Sequence, residues 1–211
     1  MDMSNPITAL QKQAYRYYYQ DGLAELAVGA LFAIIGLNLW LVDIAPRGTL
    51  FALAAWIVLP LLTIGGVFWV QRFVKGLKER QVFPRTGFIA YDSRPSPYRW
   101  LVMGIALLAA VLAIIFSDTN LNRESVIGGI LLCLILGTIG ARVNLWRLIG
   151  IGVFSLALGF CFAFLLASEH AGLALTFAGT GLCLLVSGGL AWHSYLAHNP
   201  LPGENEEALH G

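Results

Sequence analysis

Three observations predict an all-α fold in the form of a polytopic membrane protein. Hydrophobic residues fill 58% of the 211 positions and charged residues only 12%, about half the charged share of an ordinary soluble domain. Mean hydropathy is +0.74. The apolar residues are gathered into uncharged runs of the length, roughly 20 residues, that a helix needs to cross a hydrocarbon core of about 30 Å. Thirteen Lys+Arg against twelve Asp+Glu leave a net charge of +1, which excludes a strongly basic nucleic-acid binder and an acidic tail protein.

Residues 1–22 precede the first run. Asn5 and Pro6 suit a helix start, and Ile7, Leu10, Ala14, Tyr17 and Tyr18 then recur at helical spacing while Lys12, Gln13 and Arg16 lie off that stripe. This pattern predicts an amphipathic helix lying in the membrane interface and running into the first span near Asp21 and Gly22. The start lacks the basic opening and short apolar core of a cleaved signal, so the first span is expected to be an uncleaved anchor.

Six runs follow: Leu23–Val42, Thr49–Val70, Leu101–Ser117, Ser125–Ala141, Leu145–Ala167 and Leu173–Tyr195. They form a single domain over 23–195, read as six transmembrane helices in three helical hairpins. The segment 71–100 is its one sizeable loop. That loop opens with a basic helical stretch, and Pro84, Arg85, Thr86 and Gly87 form a turn signal between two short apolar pieces. Residues 196–211 read as a polar, disordered tail, because Pro200 and Pro202 end the helix and Glu204, Glu206 and Glu207 follow.

Orientation follows from the basic residues, which are retained on the cytoplasmic side near span ends. An even number of spans puts both termini on one side. That side carries Lys12, Arg16, Arg72, Lys75, Lys78, Arg80, Arg85, Arg94, Arg99, Arg142 and Arg147, whereas the other holds only Arg47 and Arg123. Both termini are therefore expected in the cytoplasm of a bacterial cell, with the chain in the inner membrane. Trp69, Trp100, Trp146 and Trp192 fall at the same ends, where an amphipathic ring is favoured.

Glycines repeat along the hairpins. Gly29 and Gly65, Gly104 and Gly140, and Gly152 and Gly188 are each 36 residues apart, which suggests a triplicated hairpin. Small residues also recur every four positions, around Gly129 and Gly137 in span four, Gly159 in span five and Gly179 in span six. Lipid supplies no hydrophobic drive between helices, so such stripes serve close backbone packing; a homo-oligomer seam is the alternative use. These glycine-bearing hairpins, most clearly Trp146 to Trp192, resemble the HdeD-type acid-resistance membrane proteins. The likeness implies a six-helix fold and a stress-linked membrane role, and it carries no catalytic residues. The tyrosine-rich start and the Pro84–Gly87 turn depart from that pattern.

Ionisable residues inside spans cost about 2.5–3.5 kcal/mol each, so each needs a reason. Asp21 and Glu25 are four apart and share a helix face, while Arg147 and His193 fall at the same depth in spans five and six. Together they form a candidate proton, ion or anion cluster; the other reading places all four at the headgroups, snorkelling or paired for structure. Arg72, Lys75, Lys78 and Arg80, with Pro84, Arg85 and Gly87, form a candidate contact for anionic lipid or a partner protein. Pro60 should kink span two and free a backbone carbonyl. His193 and His198, five apart, point to different faces, and Cys133, Cys161 and Cys183 fit no metal or redox spacing, so neither metal nor cofactor is expected. No catalytic motif is present. The expected function is that of a non-enzymatic structural, stress-response or assembly protein in contact with membrane lipid, and the alternative is a small transporter or channel.

Overall fold

The computed structural model describes residues 21–46, 48–82, 123–143, 145–166 and 168–199. Among them lie five α-helices and no strand: α1 Leu23–Ile44, α2 Leu50–Leu77 with a π-helical turn Lys78–Val82 at its end, α3 Arg123–Val143, α4 Trp146–Leu165 and α5 Glu169–His198. Each is long and apolar enough to cross a membrane. Four other expectations lie outside the described residues: the interfacial helix before Asp21, the run Leu101–Ser117, the Pro84–Gly87 turn and the tail beyond Asn199.

Local chemistry sets the helix ends. Gly22, at φ 77°, turns the chain into α1, and the Asp21 carboxylate accepts the Leu23 N–H at 3.1 Å. Thr49 caps α2 by accepting the Ala52 N–H at 3.2 Å while its hydroxyl donates to the Pro46 carbonyl. Ser168 caps α5, accepting the Ala171 N–H at 3.3 Å and donating to Asp43. That cap starts α5 at Glu169 rather than at the expected Leu173. Span two continues past its expected end at Val70 without a break, so the basic helical stretch expected to open the loop, from Gln71 to Val82, is part of the same helix and its π-helical turn. Pro60 sits inside α2, where its missing N–H releases the Trp56 carbonyl.

The dominant helix pair joins α1 to α5, which run antiparallel. Gly22, Gly29 and Gly36 recur every seven residues on α1 and face Gly188, Gly181 and Ala174 on α5. A Cβ on Gly29 would lie 2.8 Å from the Leu185 backbone nitrogen and 2.9 Å from the Gly181 carbonyl oxygen. The backbones therefore touch, and only glycine permits that approach. Phe32 and Phe177 close the same seam edge to face, with centroids 5.6 Å apart.

A second tight pair joins α3 to α4. Gly129 and Gly159 lie against each other and against the Ser155 and Ser125 carbonyls, as their small-residue stripes predicted. Gly137 borders Gly152, and Gly179 abuts Leu158. Of the glycines at the 36-residue spacing, Gly29 and Gly152 meet backbone atoms of α5 and α3, Gly188 and Gly140 meet backbone atoms at the starts of α1 and α4, and Gly65 meets no described residue within 4 Å.

The interior mixes apolar side chains, such as Leu31, Ile35, Leu136 and Leu184, with polar ones, and large apolar side chains also cover the surface. Asp21, Glu25, Asn38, Lys78, Ser125, Ser155, Thr176 and Thr180 are buried, while Leu50, Ile57, Leu61, Ile64, Phe68, Trp146 and Phe164 are exposed. A contiguous apolar surface of this kind requires an apolar solvent.

Candidate functional site

The charged end of the bundle is built from four helices. Asp21 and Glu25, one helical turn apart, point inward from the start of α1. Lys78 enters from the π-helical turn after α2, Arg147 from the first turn of α4 and Ser187 from α5. Lys78 Nζ lies 2.7 Å from Asp21 Oδ2, with the two side chains only 2% and 1% exposed. Arg147 places Nε and Nη2 each 2.8 Å from Glu25 Oε1, and the Ser187 hydroxyl donates to Glu25 Oε2 at 3.1 Å. Both carboxylates thus have a cation and a further donor, the condition under which a buried charge is tolerated. Burial pushes the Asp21 carboxyl above the usual carboxylate range, against the pull of Lys78, the Leu23 N–H and Arg147.

Of the four residues expected in the cluster, Asp21, Glu25 and Arg147 come together and His193 does not: it is exposed, about 9 Å farther along α5 than Ser187 at 1.5 Å per residue. Lys78, expected in the basic loop, is turned inward. Arg72, Lys75 and Arg80 remain exposed, and Lys75 lies 4.0 Å from Glu79 on the helix surface. Arg147, with its side chain 32% exposed, also borders an open groove of about 640 Å³ lined by Leu182, Cys183, Val186, Ser187, Leu190 and Ala191. Its lining is apolar apart from the guanidinium, the Ser187 hydroxyl and the Cys183 thiol.

A second polar set occupies the opposite end. His170 Nδ1 lies 2.8 Å from Glu124 Oε2, its ring meets Trp56 edge to face at 5.7 Å, and Ser168 bonds Asp43. Beside them, the buried Ser125 and Thr176 hydroxyls are 3.3 Å apart. The Thr176 hydroxyl donates to the Gly172 carbonyl at 2.8 Å, which leaves it to accept from Ser125, and Thr180 donates to the Thr176 carbonyl at 2.7 Å. Sequence reasoning missed the Glu124–His170 and Asp43–Ser168 pairs because each of these residues lies near a span end, where a polar residue needs no explanation.

Asn38 stands apart. It is buried and its Oδ1 has no hydrogen-bond partner among the described residues. A buried unsatisfied acceptor costs about 1–3 kcal/mol. Asn38→Leu should therefore raise the unfolding free energy by that amount, read as a higher midpoint in detergent; a lower midpoint would show that the amide is satisfied in the native protein.

Five helices long and apolar enough to span a membrane, with large apolar side chains exposed along them, place the chain in the class of helical membrane proteins. Beyond that class, no protein-family model, no curated protein and no solved structure matches it. Among the described residues, no three His, Cys, Asp or Glu side chains are grouped to hold a metal ion.

Proposed function

We propose that the chain is a non-enzymatic, multi-pass structural or assembly protein whose charged end is an ion-paired clasp. The observation that carries this reading is the pairing of Asp21 with Lys78 and of Glu25 with Arg147, at 2.7 and 2.8 Å, across three helices. Charges matched in this way fasten α1 to α2 and α4, and Ser187 adds α5 through Glu25. A carboxylate engaged by a fixed cation is a poor carrier for a moving ion, because translocation would have to break the pair in a low dielectric.

Topology supports a six-helix reading. α2 ends and α3 begins at opposite ends of the bundle: Lys78 reaches Asp21 at the charged end, and Glu124 reaches His170 at the other. The forty residues between Val82 and Arg123 must return across its whole length, and the run Leu101–Ser117 is the segment suited to do so. Six spans leave both termini on the charged side, and the basic bias favours the cytoplasm for that side. Arg72, Lys75 and Arg80 would there meet anionic headgroups. The HdeD-type likeness adds a stress-linked setting.

A transporter is the second reading, favoured by Arg147 standing both in the clasp and at the open groove. Proton and ion flux in proteoliposomes separates the two. The clasp reading expects no flux between pH 5 and 8 from the wild type and none from Glu25→Gln or Arg147→Gln. Wild-type flux that either substitution abolishes would make the cluster a transport site and overturn it.

A further inference from the structure

The groove beside Arg147 lies outside the clasp, and the clasp gives it no occupant. It follows one face of α5 from Leu182 to Ala191, about 13 Å at 1.5 Å per residue. Leu182, Val186 and Leu190 recur every four residues along it and are 59%, 63% and 69% exposed. The groove therefore opens sideways, toward the hydrocarbon around these helices, and what enters it must bring an apolar part.

The polar part of the occupant follows from the ionic group on the wall. Arg147 stands level with Ser187, because both bond Glu25, so the guanidinium meets the groove between Val186 and Leu190. Glu25 is 2% exposed and Arg147 32%: the carboxylate fixes the guanidinium from behind, and the cation reaches the groove. A guanidinium so positioned matches a phosphate. Among the described residues that line the groove there is no Asp or Glu. The ammonium of a zwitterionic headgroup would therefore sit beside Arg147 with no carboxylate to receive it, whereas a headgroup without a cation meets no such repulsion. His193, which the clasp leaves aside, is exposed three residues beyond Leu190, on the same side of α5. It stands at the outer mouth, where its ring N–H can serve the headgroup. Toward the middle of α5, Val186, Cys183 and Leu182 offer an acyl chain a largely apolar track.

We infer that this groove is a site for one anionic phospholipid of the surrounding bilayer, with its phosphate on Arg147 and an acyl chain along Val186 and Leu182. Basic pockets between membrane helices hold acidic headgroups in this way. The inference goes beyond the clasp and does not require fastening to be the protein's function.

Native mass spectrometry of the delipidated full chain in detergent, titrated with phosphatidylglycerol or phosphatidylcholine, tests it. Expected is one phosphatidylglycerol held about tenfold more tightly than phosphatidylcholine, the share of one charged contact. Arg147 is kept, because its loss would strip Glu25 of its cation. Val186→Trp and Leu182→Trp instead crowd the track from exposed positions, so the packing between helices is left alone. Each should weaken phosphatidylglycerol by about tenfold, and replacing Arg72, Lys75 and Arg80 together by Gln should weaken it less. Equal affinity for the two lipids, or unchanged binding in both tryptophan variants, overturns the inference. So does a greater loss in the triple variant, which would reduce the binding to attraction by a basic surface. Phosphatidylglycerol with a diazirine in one acyl chain locates the site without any substitution. Photolysis in vesicles should mark peptides that contain residues 182–191, and marks confined to other segments would overturn the assignment.

Discussion

Lys78→Met is expected to lower the unfolding free energy by about 3–5 kcal/mol, the cost of leaving a buried carboxylate without its cation. Asp21 and Lys78 are almost wholly enclosed, so water cannot take the place of the lost ammonium. The double variant Asp21→Asn with Lys78→Met should recover most of the loss, because a neutral amide still accepts the Leu23 N–H that Asp21 accepts now. A thermal or denaturant series in detergent checks both. Equal destabilisation by the single and double variants would show that Lys78 acts by packing rather than by charge.

The same pair sets a pH dependence. Burial raises the Asp21 carboxyl above its ordinary range. Between the ordinary and the raised value, the folded chain therefore holds a proton that the unfolded chain has released. Stability must fall as pH rises through that window. Removing the Lys78 ammonium removes the largest opposing influence, so in Lys78→Met the carboxyl rises further and the window extends toward neutrality. The variant should accordingly lose more at pH 7 than at pH 5, and a loss independent of pH would contradict the assignment.

Gly29→Leu should destabilise the bundle by at least about 3 kcal/mol, at the upper end of overpacking costs. The reason is what the new side chain would strike: the Leu185 nitrogen and the Gly181 carbonyl oxygen are backbone atoms of α5, which cannot rotate away as a flexible side chain can. The α1–α5 seam would have to separate along its length and give up the contacts of Gly22 and Gly36. Gly150→Ala is the matched control. It meets nothing within 4 Å, and loss of glycine's backbone freedom should leave stability unchanged or raised by about 0.5–1 kcal/mol. Equal midpoints for Gly29→Leu and the wild type would show that α1 and α5 are farther apart in the membrane.

Much of the site was legible before folding was considered. Asp21 and Glu25 stood out as two carboxylates on one helix face in an otherwise apolar stretch, and Arg147 as a cation at the same depth. Lys78 was hidden among Arg72, Lys75 and Arg80, since a basic run after a span is its own sufficient topological signal. Only the length of α2 and the π-helical turn at its end decide that this one lysine points inward. His193 erred in the other direction, because equal depth does not imply an equal face. The glycines followed the same pattern. Four-residue stripes brought out Gly129 and Gly159, while the seven-residue spacing of Gly22, Gly29 and Gly36 was masked by the many other glycines nearby.

Hydropathy and charge alone determined that the chain is helical and suited to a membrane, and they located the ends of most spans to within a few residues. These are one-dimensional properties: a run of apolar residues needs a fixed length to cross a bilayer, whatever its neighbours do. Partner choice is different. In a medium where every helix surface is apolar, burial of greasy area does not distinguish one neighbour from another, so close backbone approach and matched charge decide. Both are relations between distant residues, Gly29 with Gly181 and Asp21 with Lys78, and only the tertiary structure brings them together.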